Sequence, residues 1–275
     1  FYVLMLMQVT HGRRWSDDEQ TLLRGIAGQL ALALRNAQLF ETTQHAAAQL
    51  RAKNAELEAF VYTVSHDLQA PVVSMRGFAS LLQTRHRDQF DERGGLYIDR
   101  IAANSEYLSR LLNDLLELSR VGRLEEPDEV LSAGEVVRAV LEDLRAPLRE
   151  RDVEPSVPNS WPQVRFSRVR LRQVFSNLVS NAIKFLGTQI EPRIEIGWRG
   201  LLGDPALVEF WVRDNGIGIP ADYHQRVFRS FQRLKVVEVD GTGVGLSIVR
   251  RIVEGRGGVV RVESVPGQGA TFYFT

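Results

Sequence analysis

The sequence contains no cysteine. Disulfides, thiolate metal sites and a cysteine nucleophile are therefore excluded. Nor is there a surplus of charge. The 34 Lys and Arg residues balance 34 Asp and Glu, so no whole-chain field favours nucleic acid or an acidic membrane surface, although local patches stay open. No apolar run approaches the roughly 20 residues of a membrane span. The nearest, FYVLMLM over residues 1–7, stops at Gln8. It has no charged segment before it and no cleavage-like segment after it, and it reads as a strand rather than a signal peptide. The expected location is the cytoplasm. Internal repeats and low-complexity tracts are missing as well. What is present is 275 residues of ordinary apolar and charged content, enough for one or two domains with a real core. The chain begins inside an apolar run, so it reads as a piece of a longer protein.

Residues 1–10 read as a strand and Gly12 as part of a turn. Ser16 and Glu19 form a capping-box pattern. A helical stripe follows: Leu22, Leu23, Ile26, Leu30, Leu34 and Leu39. With WSDDEQTLLRGIAGQLALALRNAQLFE, this strand and helix resemble the end of a GAF-type sensory domain. From about Thr43 the spacing turns to heptads. Ala47, Asn54, Val61 and Leu68 recur every seven residues, with Leu50, Leu57 and Val64 between them. That is the a/d seam of a coiled coil, with Asn54 as a buried polar residue that fixes register and favours two strands. In this frame His66 falls at position f, pointing away from the seam.

Pro71 lacks an N–H and crowds the preceding turn, which predicts a kink just after His66. The helix should resume through Phe78, Leu81 and Leu82. HRDQFDERGG reads as a turn ending at its two glycines. A second striped helix carries Ile101, Leu108, Leu111, Leu115 and Leu118. A helical hairpin buries only one side of each stripe, and two hairpins bury both. The expected architecture is thus an α-helical hairpin forming a dimeric four-helix bundle. VGRLEEPDE reads as linker. Beyond it, EVVRAVLEDLRAPLRE and VRFSRVRLRQVFSNLVSNAIKFL hold helices, RIEIGWRG and LVEFWVRD alternate like strands, GLSIVRRIVEG is a helix ending at Gly255, and GVVRVESV and ATFYFT form a hairpin turned at PGQG. Helices with a mostly antiparallel sheet give an α+β two-layer sandwich. The expected divisions are 1–42 (sensory end and signalling helix), 43–122 (coiled coil and hairpin), 123–133 (linker) and 134–275 (sandwich).

Six motifs occur in order: SHDLQAP, QVFSNLVSNAIKF, DNGIGIP, VFRSFQRL, GTGVGLSIVRRIVEGRGG and GQGATFYF. Together they resemble the histidine kinases of two-component signalling, from about Leu50 to the end. SHDLQAP and the short stretch between Arg233 and Gly241 are most similar to phytochrome-type and related light-sensor kinases. With no cysteine and no full sensor, this stretch cannot carry a cysteine-linked bilin. The resemblance implies a Bergerat-type (GHKL) ATP-binding fold for the sandwich, ATP with Mg²⁺ as cofactors, a homodimer, an upstream sensory domain and a response regulator receiver domain as partner.

On that reading His66 is the phosphoacceptor. A neutral imidazole is a good nucleophile, and its N–P bond is labile enough to pass the group on. Asp67 accepts a hydrogen bond or proton from the ring. Asn181 is the Mg²⁺ ligand, since an amide oxygen suits a hard cation without adding charge beside phosphates. Asn177, four residues earlier on the same helix face, is given a supporting role near the metal, and Lys184 pairs with phosphate oxygens. Phe185 closes that stretch and counts with the nucleotide site. The resemblance assigns Asp214 to the exocyclic amine of adenine and makes Asn215 a secondary contact. Gly216 and Gly218 let the backbone turn and approach the base. Phe228 and Phe231 are hinges of a lid, and Arg233 reaches the phosphates. Gly241, Thr242, Gly243, Gly245 and Leu246 form the box at a helix start that suits the triphosphate. Two positions depart from the pattern. Ala70 stands where related kinases often carry Thr or Asn, which implies weak phosphatase activity, and Arg256 stands where a histidine is common. An ATP-hydrolysing clamp of the same superfamily and a nucleotide-binding module without catalysis remain alternatives. Which protomer's histidine is modified, the stimulus and the regulator's identity stay open.

Overall fold

The protein is described by a computed structural model covering residues 15–120, 127–201, 203–230 and 242–275. The expected strand over 1–10 and the turn at Gly12 lie outside the described residues. The chain divides into two compact units, Phe1–Phe60 and Val61–Thr275. The first helix, α1 (Asp17–Arg85), begins in the first unit. Its start is the capping box read from the sequence: Ser16 N donates to Glu19 Oε2 at 2.9 Å, and Glu19 N donates to Ser16 Oγ at 3.2 Å. Leu22, Ile26, Leu30, Leu50 and Leu57 are all exposed there.

In the second unit α1 continues from Val61 and, after a 3₁₀ turn at Arg87–Gln89, α2 (Glu92–Arg120) completes a helical hairpin. Pro71 lies inside α1, and the helix runs on through Phe78, Leu81 and Leu82 as expected. The proline costs one N–H, while Ser65, Val72 and Ala79, seven apart and all buried, hold the helix on both sides of it. On α2 Ile98, Ser105, Leu112 and Ser119 are buried at intervals of seven, with Leu116 buried beside them. Polar ties set the register of the pair. Gln69 Nε2 donates to Asn113 Oδ1 and Gln83 Nε2 to Asp99 Oδ1, both at 2.8 Å. Arg87 forks onto Asp99 at 2.8 and 2.9 Å, and those hydrogen bonds, with that from Gln83, hold the Asp99 carboxyl below its ordinary range. Gly94 and Gly95, expected to close the turn, lie in the first turn of α2 instead. Asp91 opens that helix by accepting Gly94 N at 2.7 Å, so the cap, not the glycines, marks the boundary.

The remainder is a two-layer sandwich. Its sheet is antiparallel with strand order β3-β4-β6-β5, from β3 (Ile194–Leu201), β4 (Asp204–Asp214), β5 (Val260–Val265) and β6 (Gly269–Phe274). Helices α3 (Ala133–Asp143), α5 (Arg168–Phe185) and α6 (Gly245–Glu254) contribute their apolar faces to one core with the sheet. At its centre Phe175, Phe210 and Phe274 pack with ring centroids 5.2–5.6 Å apart. Residues 129–132, expected as linker, form β1 (Glu129–Ser132), which pairs antiparallel with β2 (Gln163–Phe166). The stretch expected as one helix splits at Leu144 into α3 and α4 (Arg145–Glu150), because Pro147 cannot donate into a continuing helix. Among the described residues no helix is long and apolar enough to cross a membrane.

Candidate functional site

α5 buries Leu171, Val174, Phe175, Leu178 and Val179. Asn177 and Asn181 sit half-buried at the margin of that face, and Lys184 is exposed one turn on. Asn177 Nδ2 donates to Gln173 O at 2.9 Å. This fixes the amide against the start of α6, where a Cβ at Gly245 would meet Asn177 Oδ1 at 2.6 Å. Gly245 is therefore required by the approach of two helices, and any side chain there would displace Asn177. The amide of Asn181 has no partner among the described residues.

Asp214 ends β4 opposite Ala270 of β6 and is buried. Its Oδ1 accepts Gly216 N at 2.9 Å and Ala270 N at 3.3 Å. Burial pushes its carboxyl up to about 6, against the opposing pull of those two backbone bonds. Both bonds end on the same oxygen, which leaves Oδ2 to meet a donor. The loop after Asp214 is threaded tightly. Ile217 N donates to Phe185 O at 3.0 Å, and Gly267 N donates to Ile217 O at 2.7 Å. A Cβ on Gly216 would stand 2.1 Å from that same Phe185 carbonyl oxygen, and Gly218 has φ +69°. Asn215 differs from the expectation of a ligand contact. Its Oδ1 accepts Arg193 N and its Nδ2 donates to Glu191 O, each at 2.8 Å, so its amide is spent on anchoring the entry to β3.

Phe228 is buried with its ring edge-on to Phe272, centroids 6.1 Å apart. Phe231, Arg233 and Gly241 lie outside the described residues. Gly243 has φ +74°, and Leu246 is half-buried in the first turn of α6. Thr242 does not turn toward Asp214 or Asn181. Its Oγ1 donates to the carboxylate of Asp114 on α2. One turn along α2, Glu117 Oε2 accepts Gln173 Nε2 at 2.7 Å. Nothing in the motif spacing pointed to Asp114 or Glu117, ordinary polar residues on a helix whose apolar stripe carried the reading, and Gln173 opened the quoted asparagine motif without being given a role.

His66 stands on α1 with its side chain 69% exposed, and Asp67 beside it is 73% exposed. Nδ1 of His66 lies 3.3 Å from Asp67 Oδ1, and the Tyr62 ring is stacked on the imidazole side at 6.5 Å. His66 lines an open cleft of about 470 Å³ with Tyr62, Gln69, Asn113, Asp114 and Glu117. Asn177, Asn181, Phe185, Asp214, Gly216, Gly218 and Gly245 are brought together in the sandwich, and His66 and Asp67 stand apart on the hairpin. Among the described residues no cluster of three or more His, Asp or Glu side chains forms a ready metal site.

Two family descriptions match the chain. The His Kinase A (phospho-acceptor) domain covers residues 56–123, and the histidine kinase-, DNA gyrase B- and HSP90-like ATPase covers residues 167–275. The chain is 38% identical over 270 residues to the methanogenesis regulatory histidine kinase FilI of Methanothrix harundinacea, across 96% of this chain and 30% of that protein. It is 37% identical over 254 residues to the phytochrome-like protein Cph1 of Synechocystis, across 90% of this chain and 33% of that one. It thus spans about a third of the length of these curated relatives. Full-length ShkA, solved in complex with AMPPNP, superposes with a TM-score of 0.61 at 28% identity, over 78% of this chain and 45% of that one.

Proposed function

We propose that this chain, which belongs to the histidine kinase family of two-component signalling, transfers the γ-phosphoryl group of ATP to its own His66. The observation that carries the reading is the state of that imidazole. It is exposed, and its Nδ1 faces the Asp67 carboxylate. A proton held on Nδ1 by Asp67 leaves the lone pair on Nε2, the outward nitrogen. That lone pair forms the N–P bond while the bond from γ-phosphorus to the β,γ-bridging oxygen breaks and its electron pair leaves with ADP. The Nδ1 proton then passes to Asp67 or solvent, and the ring returns to neutral.

The sandwich residues fit a nucleotide. Asp214 offers Oδ2 from a buried carboxylate whose other oxygen is already tied, which suits an exocyclic amine. The glycines at 216 and 245 let the Phe185 carbonyl and the Asn177 amide pack closely at the site, where a Cβ would collide with them. Asn181 would hold Mg²⁺ through its amide oxygen, and Lys184 would pair with phosphate oxygens. A bound divalent cation supplies charge neutralisation on the transferring phosphate. Asn177 is held by Gln173 O and carries no basic group, so it cannot activate water. This favours transfer to histidine over hydrolysis. Downstream, the phosphoryl group passes to an aspartate of a response regulator, and upstream a sensory domain controls the hairpin. Leu68, Met75, Phe78, Ile101 and Leu108 are exposed on the hairpin, and a second copy of the chain covers them in a homodimer. Ala70 cannot orient a water, so phosphatase activity toward the regulator is weak.

Incubation with γ-labelled ATP and Mg²⁺ tests the reading. Acid-labile, base-stable label on the wild type and none on His66→Gln is the expected result. Free phosphate without protein label would overturn it.

A further inference from the structure

We propose that phosphoryl transfer occurs within one subunit, with Asp114 and Glu117 of α2 acting as positioning residues that seat the phosphate side of the sandwich at the same chain's His66. The inference rests on His66 as phosphoacceptor. Among the described residues two hydrogen bonds join the sandwich to the hairpin beside the residues proposed to hold the phosphates. Thr242, inside the glycine box, donates to Asp114. Gln173, one turn before Asn177 on α5, donates to Glu117 at 2.7 Å. Asp114 and Glu117 are three residues apart on α2, on neighbouring positions of one face. Both also line the cleft that holds His66. The hydrogen bond from Gln69 to Asn113 fixes the level of α1 against α2 there, since Gln69 follows His66 by less than a turn and Asn113 precedes Asp114.

The donors at these contacts are uncharged. Two carboxylates placed against a triphosphate would repel it, but Asp114 and Glu117 are each engaged by a neutral donor on either side of the Asn177–Gly245 approach. They bracket the mouth of the site without entering it. The bonds exchanged are those of the kinase reaction: N–P forms at Nε2 of the chain's own His66, the γ-phosphorus bond to the bridging oxygen breaks, and ADP leaves with the electron pair.

Two heterodimers, each purified through different tags on its two subunits, separate the routes. In the first, a wild-type subunit is paired with one carrying both His66→Gln and Asn181→Ala. In the second, His66→Gln is paired with Asn181→Ala. Transfer within a subunit labels the first to about half the level of the wild-type homodimer and leaves the second blank. Label on the second and none on the first overturns the proposal. A wild-type homodimer that takes no label at all sinks the kinase reading instead, so the two failures are distinct. The positioning role is read separately with Asp114→Asn combined with Glu117→Gln. The labelling rate at saturating ATP should fall about tenfold while the affinity for a non-hydrolysable ATP analogue stays within about twofold. An unchanged or increased rate would show that these contacts do not position transfer.

Discussion

The hairpin and the sandwich solve the burial problem in opposite ways. On the hairpin, buried positions form narrow stripes, Ser65, Val72 and Ala79 on α1 and Ile98, Ser105, Leu112, Leu116 and Ser119 on α2, while Leu68, Met75, Phe78 and Ile101 stay exposed. The sandwich closes on itself around Phe175, Phe210 and Phe274, and its site depends on backbone approaches too close for a Cβ. On the proposed reading one region is finished by a second copy of the chain, and the other is finished by its own glycines. Function divides along the same line. An imidazole that is to take a phosphoryl group needs exposure, whereas a carboxylate that is to read a base needs to be dry.

The largest break in this comparison comes from the exposed stripe. Replacing Leu68 and Met75 by Glu alters four side chains in a dimer. At about 1.5–3 kcal/mol for each buried apolar side chain, more than 6 kcal/mol of association is at stake. Sedimentation should show a monomer at micromolar concentration, with the sandwich still binding nucleotide. A dimer of unchanged strength would mean that the exposed stripe is not the self-association surface. A second pair of substitutions sharpens the contrast. Gly216→Ala pushes a methyl onto the Phe185 carbonyl, which holds Ile217 N. It should cost about 1–3 kcal/mol of stability and weaken nucleotide binding about tenfold or more. Gly77→Ala, in open space on α1, should stabilise the hairpin by about 0.5–1 kcal/mol. Thermal unfolding and analogue titration check both, and equal effects at the two glycines would erase the distinction.

The two regions were also legible in the sequence to different depths. Helical spacing exposed the hairpin because a stripe is a local pattern. Ser16 with Glu19, the ends of α6 and the β5–β6 turn were readable for the same reason, since cap and turn chemistry acts over three or four residues. The β1–β2 pair was not. Each strand has four residues, too few to show alternation, and they pair across 30 intervening positions. The split at Leu144 was signalled by Pro147, but the apolar periodicity on both sides outweighed it. Asn215 stood inside a glycine motif, and only the structure shows its amide turned to Glu191 and Arg193. The glycines of the site were legible as glycines. The atoms that require them, the Phe185 carbonyl and the Asn177 amide, belong to a different element.

A pH-dependent effect bears on the dry carboxylate. Burial raises Asp214 to about 6 from an ordinary 3.8, so the folded protein holds this proton more tightly than the unfolded chain does. From this group alone, stability is greatest below the ordinary value and is lost as pH rises through about 6, by up to about 3 kcal/mol. Nucleotide recognition has the opposite sign. With Oδ1 tied to two backbone N–H groups, an added proton sits on Oδ2 and turns the acceptor for adenine into a donor. At pH 5 about one molecule in ten keeps the carboxylate ionised, so affinity for a non-hydrolysable ATP analogue should fall about tenfold between pH 7.5 and pH 5. Asp214→Asn should bind weakly at both values, lose that slope and gain stability at neutral pH. His66, exposed on the hairpin, has no part in this binding, and His66→Gln should leave the slope intact. A wild-type affinity that is flat across this range would mean that Asp214 is not the group that reads the base, and would remove the reason for burying it.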